Sequence, residues 1–340
     1  MPRAKRVTIA DIARLAGVSP GAVSFALNGR PGVSEQTRQR ILEIAAAQNF
    51  QPSAAARALV GSRTDVIGFV VNRPARTLGS EAFFADLIAG VQQALAAHRV
   101  ALQLVVVSSL ADEIATYRRW HSARQVDGVI VIDPRDDDPR LPVLTGLGLR
   151  SVVIGSRPAL SGEPPAIWLD DKQAAHALFD YLVALGHRDI AYVCGPEDFQ
   201  HTRLRIDVLA GLAARGVRAR TRPTDYSPAA ATGATRALLS DAEPPAVIVF
   251  DNDVMAIAGL RVAQEMAVRV PQRLSVASFD DSVVAALVRP ALTCLTRDTF
   301  GLGEQAATFL LEQIESGTAL LDRAGPTPQL TVRESTAAPG

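Results

Sequence analysis

Val7–Thr64 reads VTIADIARLAGVSPGAVSFALNGRPGVSEQTRQRILEIAAAQNFQPSAAARALVGSRT, and the rest of the chain is organised around it. Thr8 is placed to cap a first helix, and Asp11, three residues on, adds negative charge at that helix's positive end. Ile9, Ile12, Ala13 and Ala16 recur at three-to-four spacing and give one narrow apolar face. Gly17 ends the helix, since so tight a reversal favours a left-handed residue. Ser19 caps the next helix, with Pro20 where a missing N–H does no harm. A third helix is expected after Ser34, burying Ile41, Leu42, Ile44 and Ala45 over the first two. Helix, short Gly turn, helix is the outline of a helix-turn-helix DNA reader.

Charge divides the chain at the same place. Residues 1–63 hold nine Lys/Arg and three Asp/Glu, whereas the rest holds 26 and 32. The net zero of the whole therefore conceals a head of +6 on a body of −6. A clustered basic domain is the footprint of a polyanion binder. At 340 residues and 48% hydrophobic content, the chain exceeds one ordinary core and suits a small domain with larger ones. No apolar run reaches membrane-span length, and Met-Pro-Arg-Ala-Lys-Arg is followed by no signal-peptide core, so a cytoplasmic protein is expected. Cys194 and Cys294 stand in or beside apolar runs with no second ligand near, which predicts buried thiols and no metal.

Gln51-Pro52 breaks the third helix. Ser53–Val60 is then a short run of good helix formers ended by Gly61, marginal as a helix in isolation. From Asp65 onward short apolar runs alternate with longer amphipathic ones. VIGFVV, LQLVVV, GVIVI and SVVIG form one series, with helices over 83–97 and 112–123. IAYVC, AVIVF, LSVAS and TCL form a second, with helices over 172–185, 203–215 and 252–266. Strands alternating with helices call for parallel sheets covered on both faces. Two series in a row predict two doubly wound lobes, with ligands at the carboxyl ends of the strands.

VTIADIARLAGVSPGAVSFALNG resembles the head of the LacI/GalR family of bacterial transcription regulators, and QPSAAARALVGSRTDVIGFVV is similar to that family's hinge helix and first core strand. The resemblance continues through GHRDIAYVCGP, DNDVMAIAGL, VPQRLSVASFDD, RPALT and LTVRESTAAP. It implies a helix-turn-helix head over 1–51 and a hinge helix and linker over 52–63. The body becomes a periplasmic-binding-protein-like pair of lobes, one of 64–166 plus 297–325 and the other of 167–296 plus 326–340. The implied function is that of a repressor, not an enzyme: a homodimer on a palindromic operator with a central CG step, switched by a sugar or sugar derivative, with no cofactor and no membrane partner.

Site residues follow from the same resemblance. Pro20, Gly21 and Phe25 occupy base-facing or neighbouring positions of the second helix, and Phe25 can offer only apolar contact. Thr8, Ser19, Ser24 and Asn28 suit phosphate oxygens. Leu59 matches the hinge leucine that wedges into the minor groove, and Ala55 and Ala56 match small residues allowing close approach. Arg205, Asn252 and Asp280 match effector-binding positions, and Tyr226 a stacking aromatic; Asp253 is read as a helix cap. Two departures stand out. Gly155 replaces the acidic residue after the fourth strand, and Val208-Leu209 replaces a Gly-aromatic pair beyond Arg205.

Two rival readings fit parts of the sequence. Gly301-Leu302-Gly303-Glu304-Gln305-Ala306 fits the dinucleotide pattern G-x-G-x-x-A, yet Thr296–Phe300 separates it from the preceding apolar run, where that motif needs a tight strand-to-helix turn. A stand-alone solute receptor would share the two lobes but not the basic head.

Overall fold

The computed structural model describes residues 7–27, 29–48, 50, 63–155, 164–318 and 320–339. The expectations placed on Asn28, Ala55, Ala56 and Leu59 concern positions outside the described residues.

The head is α1 (Ile9–Ala16), α2 (Pro20–Leu27) and α3 (Glu35–Ala47). Thr8 and Asp11 form a reciprocal capping box: Thr8 N–H donates to the Asp11 carboxylate at 3.0 Å, and Asp11 N–H donates to Thr8 Oγ1 at 3.3 Å. Gly17 closes α1 at φ 67°, and Ala22 N–H donates to Ser19 Oγ at 3.2 Å at the start of α2. Ile12, Ala13, Ala16, Val23, Ala26 and Ile41 make the core. Leu42, expected among them, is 40% exposed, because Ile41 and Ala45 one turn apart already fill α3's inward face. Arg38 on α3 donates to the carbonyls of Ala26 at 3.2 Å and Arg30 at 2.7 Å, satisfying groups at the end of α2 and just beyond it.

The first lobe runs β1 (Val66–Asn72), α4 (Ala75–Leu78), α5 (Ala82–Ala97), β2 (Ala101–Val107), α6 (Leu110–Ser122), β3 (Gly128–Ile132), α7 (Arg140–Leu147), β4 (Arg150–Gly155) and β5 (Ala166–Trp168). The second runs α8 (Asp171–Ala184), β6 (Asp189–Cys194), α9 (Gln200–Gly211), β7 (Arg218–Pro223), α10 (Pro228–Leu239), β8 (Val247–Phe250), α11 (Asp253–Glu265), β9 (Ser275–Ser278), α12 (Val283–Leu287) and β10 (Thr293–Thr296). The chain then returns as α13 (Thr299–Ser316) and β11 (Arg323–Ala324) before ending on β12 (Gln329–Thr331). The sheets have the order β11-β5-β4-β3-β1-β2 and β12-β10-β9-β8-β6-β7, and every pairing is parallel except β10 with β12. The central strands β3 and β8 are buried along their whole length, as a sheet covered on both faces requires. Three crossings of the chain join the lobes: after β5, after β10 and after β11.

α13 packs on α5 at a distance that only glycine permits. A Cβ on Gly90 would lie 1.9 Å from the Phe300 carbonyl oxygen, and one on Gly303 would lie 2.2 Å from that of Leu87. The G-x-G-x-x-A pattern is thus part of a close helix crossing, set inside the first two turns of α13. Cys194 and Cys294 are buried free thiols, and none of the described helices is long and apolar enough to cross a membrane.

Candidate functional site

The strand ends converge on a cleft between the lobes. Arg73 follows β1, Asp133 follows β3, Asp251 follows β8, Asp280 stands two residues past β9, and Arg297 follows β10. All of them line the cleft with Glu81, Asp171, His201, Arg205, Tyr226 and Asn252. The sequence reading named four of these: Arg205, Tyr226, Asn252 and Asp280. It passed over Arg73, Asp133, Asp251 and Arg297, although the rule that ligands sit at strand carboxyl ends points straight to the residue after each apolar run.

Arg205 is held by two carboxylates. Its Nη1 donates to Asp251 at 2.7 Å and its Nη2 to Asp171 at 3.0 Å, while its guanidinium carbon lies 4.2 Å from the Phe279 ring centre. Asp251 also accepts from the Tyr192 hydroxyl and, at 2.7 Å, from Gly195 N–H. Burial is the largest influence on both carboxyls and pushes them up, but Arg205 together with the other cations and hydrogen bonds around them holds them below the usual carboxylate range. Only Nε of Arg205 is left unpartnered.

Asn252, rather than Asp253, caps α11. Its Oδ1 accepts from Met255 N–H at 2.9 Å, which leaves the buried Nδ2 without a partner. Asp253 is instead the first residue of the helix. Asp280 is half-buried, and burial pushes its carboxyl up to about 6 against the pull of Arg297 and Arg205. Burial takes Glu81 further, to about 8, although Arg73 opposes it.

Tyr226 adopts φ 67°, a left-handed conformation that costs energy in any residue but glycine, and a Cβ on Gly195 would lie 2.0 Å from its ring. The face expected to stack on a ligand already carries Arg73, whose guanidinium carbon is 4.5 Å from the Tyr226 ring centre and 4.9 Å from that of Phe199. Arg73 Nη2 pairs with Asp133 at 2.8 Å. Further contacts clasp the same edge: Arg135 with Asp198 at 2.7 Å, Arg203 with Asp136 at 3.1 Å, and Gln200 N–H donating to the Pro134 carbonyl at 2.9 Å. Buried Arg140 pins the loop that carries these groups, donating to Asp138, Glu113 and the carbonyls of Ile132 and Asp133. The first lobe therefore delivers its guanidinium onto the second lobe's aromatics.

Six buried polar atoms of the cleft lack a hydrogen-bond partner among the described residues: Nε of Arg73, Arg205 and Arg297, Arg297 Nη2, Asn252 Nδ2 and Glu81 Oε1. Five of the six are donors; two of the six, Arg73 Nε and Glu81 Oε1, face each other as an ion pair at 3.7 Å, too far for a hydrogen bond. Such concentration in one cavity is the mark of a binding site, since buried polar groups are otherwise satisfied.

On the head, Pro20, Gly21 and Phe25 are exposed and Ser24 is half-buried, all along the outer face of α2. Phe25 is 40% exposed, so it is not a core aromatic, and its ring leans on Gly32. Thr8 and Ser19 are exposed as well, but their hydroxyls already serve the caps, with Thr8 Oγ1 donating to Asp11 at 2.7 Å.

Comparison with known proteins agrees with this architecture. Residues 8–53 match the family described as "Bacterial regulatory proteins, lacI family", and residues 179–336 match a periplasmic binding protein-like domain. The chain is 30% identical to the HTH-type transcriptional regulator CelR of Thermobifida fusca over 98% of its own length and all of that protein's. It is 28% identical to the ribose operon repressor of Escherichia coli, covering 96% of this chain and 99% of the repressor. Among solved structures, a complex of CelR with cellobiose superposes with a TM-score of 0.72 at 28% identity, over 97% of this chain and 100% of that one. A lac repressor dimer bound to operator superposes at 0.81 with 24% identity, over 98% and 100% of the two chains, a likeness of fold.

Proposed function

Because this chain belongs to the LacI family of bacterial transcription regulators, we propose that it is a repressor that binds a palindromic operator as a homodimer and is switched by a sugar or sugar derivative in the cleft. The observation that carries the reading is the set of six unpartnered polar atoms drawn from both lobes. A polyhydroxylated ligand supplies acceptors to the guanidinium and amide donors and hydroxyl donors to Asp280 and Glu81. The complex of CelR with cellobiose supports a sugar.

The mechanism is linkage. Ligand bound to both lobes favours one lobe arrangement, and operator bound to the paired heads favours one arrangement of the hinges. If the two arrangements differ, each ligand changes the other's affinity by the same coupling free energy. Arg205, Asn252 and Asp280 contact the effector in this reading, with Tyr226 shaping the cleft under Arg73. Pro20, Gly21 and Phe25 face the bases, Thr8, Ser19, Ser24 and Asn28 the backbone, and Leu59 with Ala55 and Ala56 the minor groove at the central CG step.

The test is calorimetry of the purified protein against common mono- and disaccharides, with operator anisotropy measured with and without each binder. A sugar that binds and shifts operator affinity is expected. Saturable sugar binding with no change in operator affinity would overturn the switch. For the hinge, Leu59→Ala removes an apolar wedge but no charge. It should cost specific affinity a few kcal/mol, roughly the scale of unstacking and bending, and leave the salt slope of binding unchanged. Strictly additive losses between Leu59→Ala and a changed central operator step would return the hinge to a linker.

A further inference from the structure

Among the described residues three arginines line the cleft, and they differ in what holds them. Arg205 has carboxylates at 2.7 and 3.0 Å, and Arg73 has Asp133 at 2.8 Å and Glu81 at 3.7 Å. The Arg297 side chain is as buried as those of Arg73 and Arg205, at 6% exposed, yet its nearest carboxylate oxygen among the described residues is Asp171 Oδ1 at 4.0 Å, already engaged by Arg205. Its unpartnered atoms are Nε and Nη2. Those two N–H groups lie on one edge of the planar guanidinium, and they are the pair that grips a carboxylate through two parallel hydrogen bonds. Asn252 Nδ2 offers one more donor in the same cleft.

Asp171 at 4.0 Å and Asp280 answer the charge of Arg297 only from beyond hydrogen-bond reach, so the buried Nε–Nη2 edge lacks acceptors, and a carboxylate fills both donors at once with stronger bonds than hydroxyls make. Resting on the reading of the cleft as a sugar site, we infer that its ligand is a sugar acid, whose carboxylate takes the Nε–Nη2 edge of Arg297 while its hydroxyls reach Asp280 and Glu81. A monoanion suits the cleft better than a phosphate, because Asp133, Asp171 and Asp251 already line it and repel a dianion more strongly. Gly155 supports the assignment: it stands at the end of β4 in the cleft wall and adds no further negative charge there.

The full-length protein is titrated by calorimetry with matched pairs: glucose against glucuronate and gluconate, galactose against galacturonate, cellobiose against cellobionate. At least one acid should bind ten or more times as tightly as its neutral partner, and Arg297→Gln should erase that ratio. Neutral sugars that bind as well as their acids would overturn the inference and leave the sugar cleft standing. Glucose 6-phosphate binding more tightly than every acid would replace the carboxylate by a phosphate, and no binding by any member would overturn both readings. A ratio unchanged in Arg297→Gln would remove the role given to Arg297. Melting of the ligand-free variant adds a test that needs no ligand. A buried guanidinium edge without acceptors predicts a melting temperature equal to or above that of the parent. A fall of more than about 4 °C, a drop large enough to mark a lost structural partner, would overturn the inference.

Discussion

The head and the cleft use charge in opposite ways. On the head, Arg14 is 76% exposed on its side chain and Arg38 spends its guanidinium on carbonyls at the end of α2. Exposed charges there act at a distance through the field they sum to, and each counts for little alone. In the cleft, Arg205, Asp171 and Asp251 are withdrawn from water and interlocked, so losing one strands the others. The comparison teaches where to look for ligands. An exposed arginine without a partner is unremarkable, whereas a buried one implies a group still to come.

The contrast breaks most visibly at Asp251. Asp251→Ala leaves Arg205 buried with a single carboxylate and orphans Gly195 N–H and the Tyr192 hydroxyl. Chemical denaturation should show a loss of about 3–5 kcal/mol, the cost of breaking a buried pair. A loss under about 1 kcal/mol would put the cleft on the same footing as the surface.

Glu81 tests the cleft through pH. Its folded carboxyl holds the proton to about 8, against 4.5 for the free side chain. Between those values the folded state binds more protons than the unfolded, so stability falls as pH rises from about 4.5 to 8 and levels off above. Glu81→Gln removes that slope. The variant should gain on the parent by on the order of a few kcal/mol at pH 9 and match it at pH 4, measured as denaturation midpoints. Parallel pH profiles for the two proteins would mean that Glu81 is solvated.

Asp280→Asn sharpens the comparison without touching the interlocked groups. It should weaken effector binding by more than about tenfold, near 1.4 kcal/mol, with operator affinity kept. In the parent, protonation should reproduce part of this loss as pH drops through about 6. Calorimetry showing equal affinity in both proteins would return Asp280 to a structural role.

The smallest effect is expected on the head. Thr8→Ala removes one cap from α1 and should cost about 1 kcal/mol of head stability, read by helix melting monitored by circular dichroism. A loss several times larger would mean that this exposed box is coupled to the core.

Much of this protein was fixed by neighbours in sequence. The caps of Thr8, Ser19 and Ser34 follow from side chains within three residues of the groups they bind, as does the left-handed turn at Gly17. The alternation of apolar runs with amphipathic stretches was enough for two parallel-sheet lobes, because strand burial on both faces is written in each strand's own composition. Other elements left no such trace. β7 is the polar edge segment RARTRP, and the start of α13 carries the G-x-G-x-x-A pattern without any nucleotide turn.

What tertiary structure decided is which distant groups meet. Arg205 reaches Asp251 across 46 positions and Asp171 across 34, and Arg73 crosses from one lobe to lie on Tyr226 in the other. Nothing local to those residues encodes the encounter, since it depends on strand order and on how the lobes face each other. The same holds for Asn252, which the sequence offered as a ligand group and the structure uses first as a cap. Its Oδ1 is committed to its own helix, and its Nδ2 is left over only because the fold buries that helix start against the cleft. Short-range hydrogen bonding and periodicity are properties of the chain, whereas the partner that a buried charge finds or lacks is a property of the packed molecule.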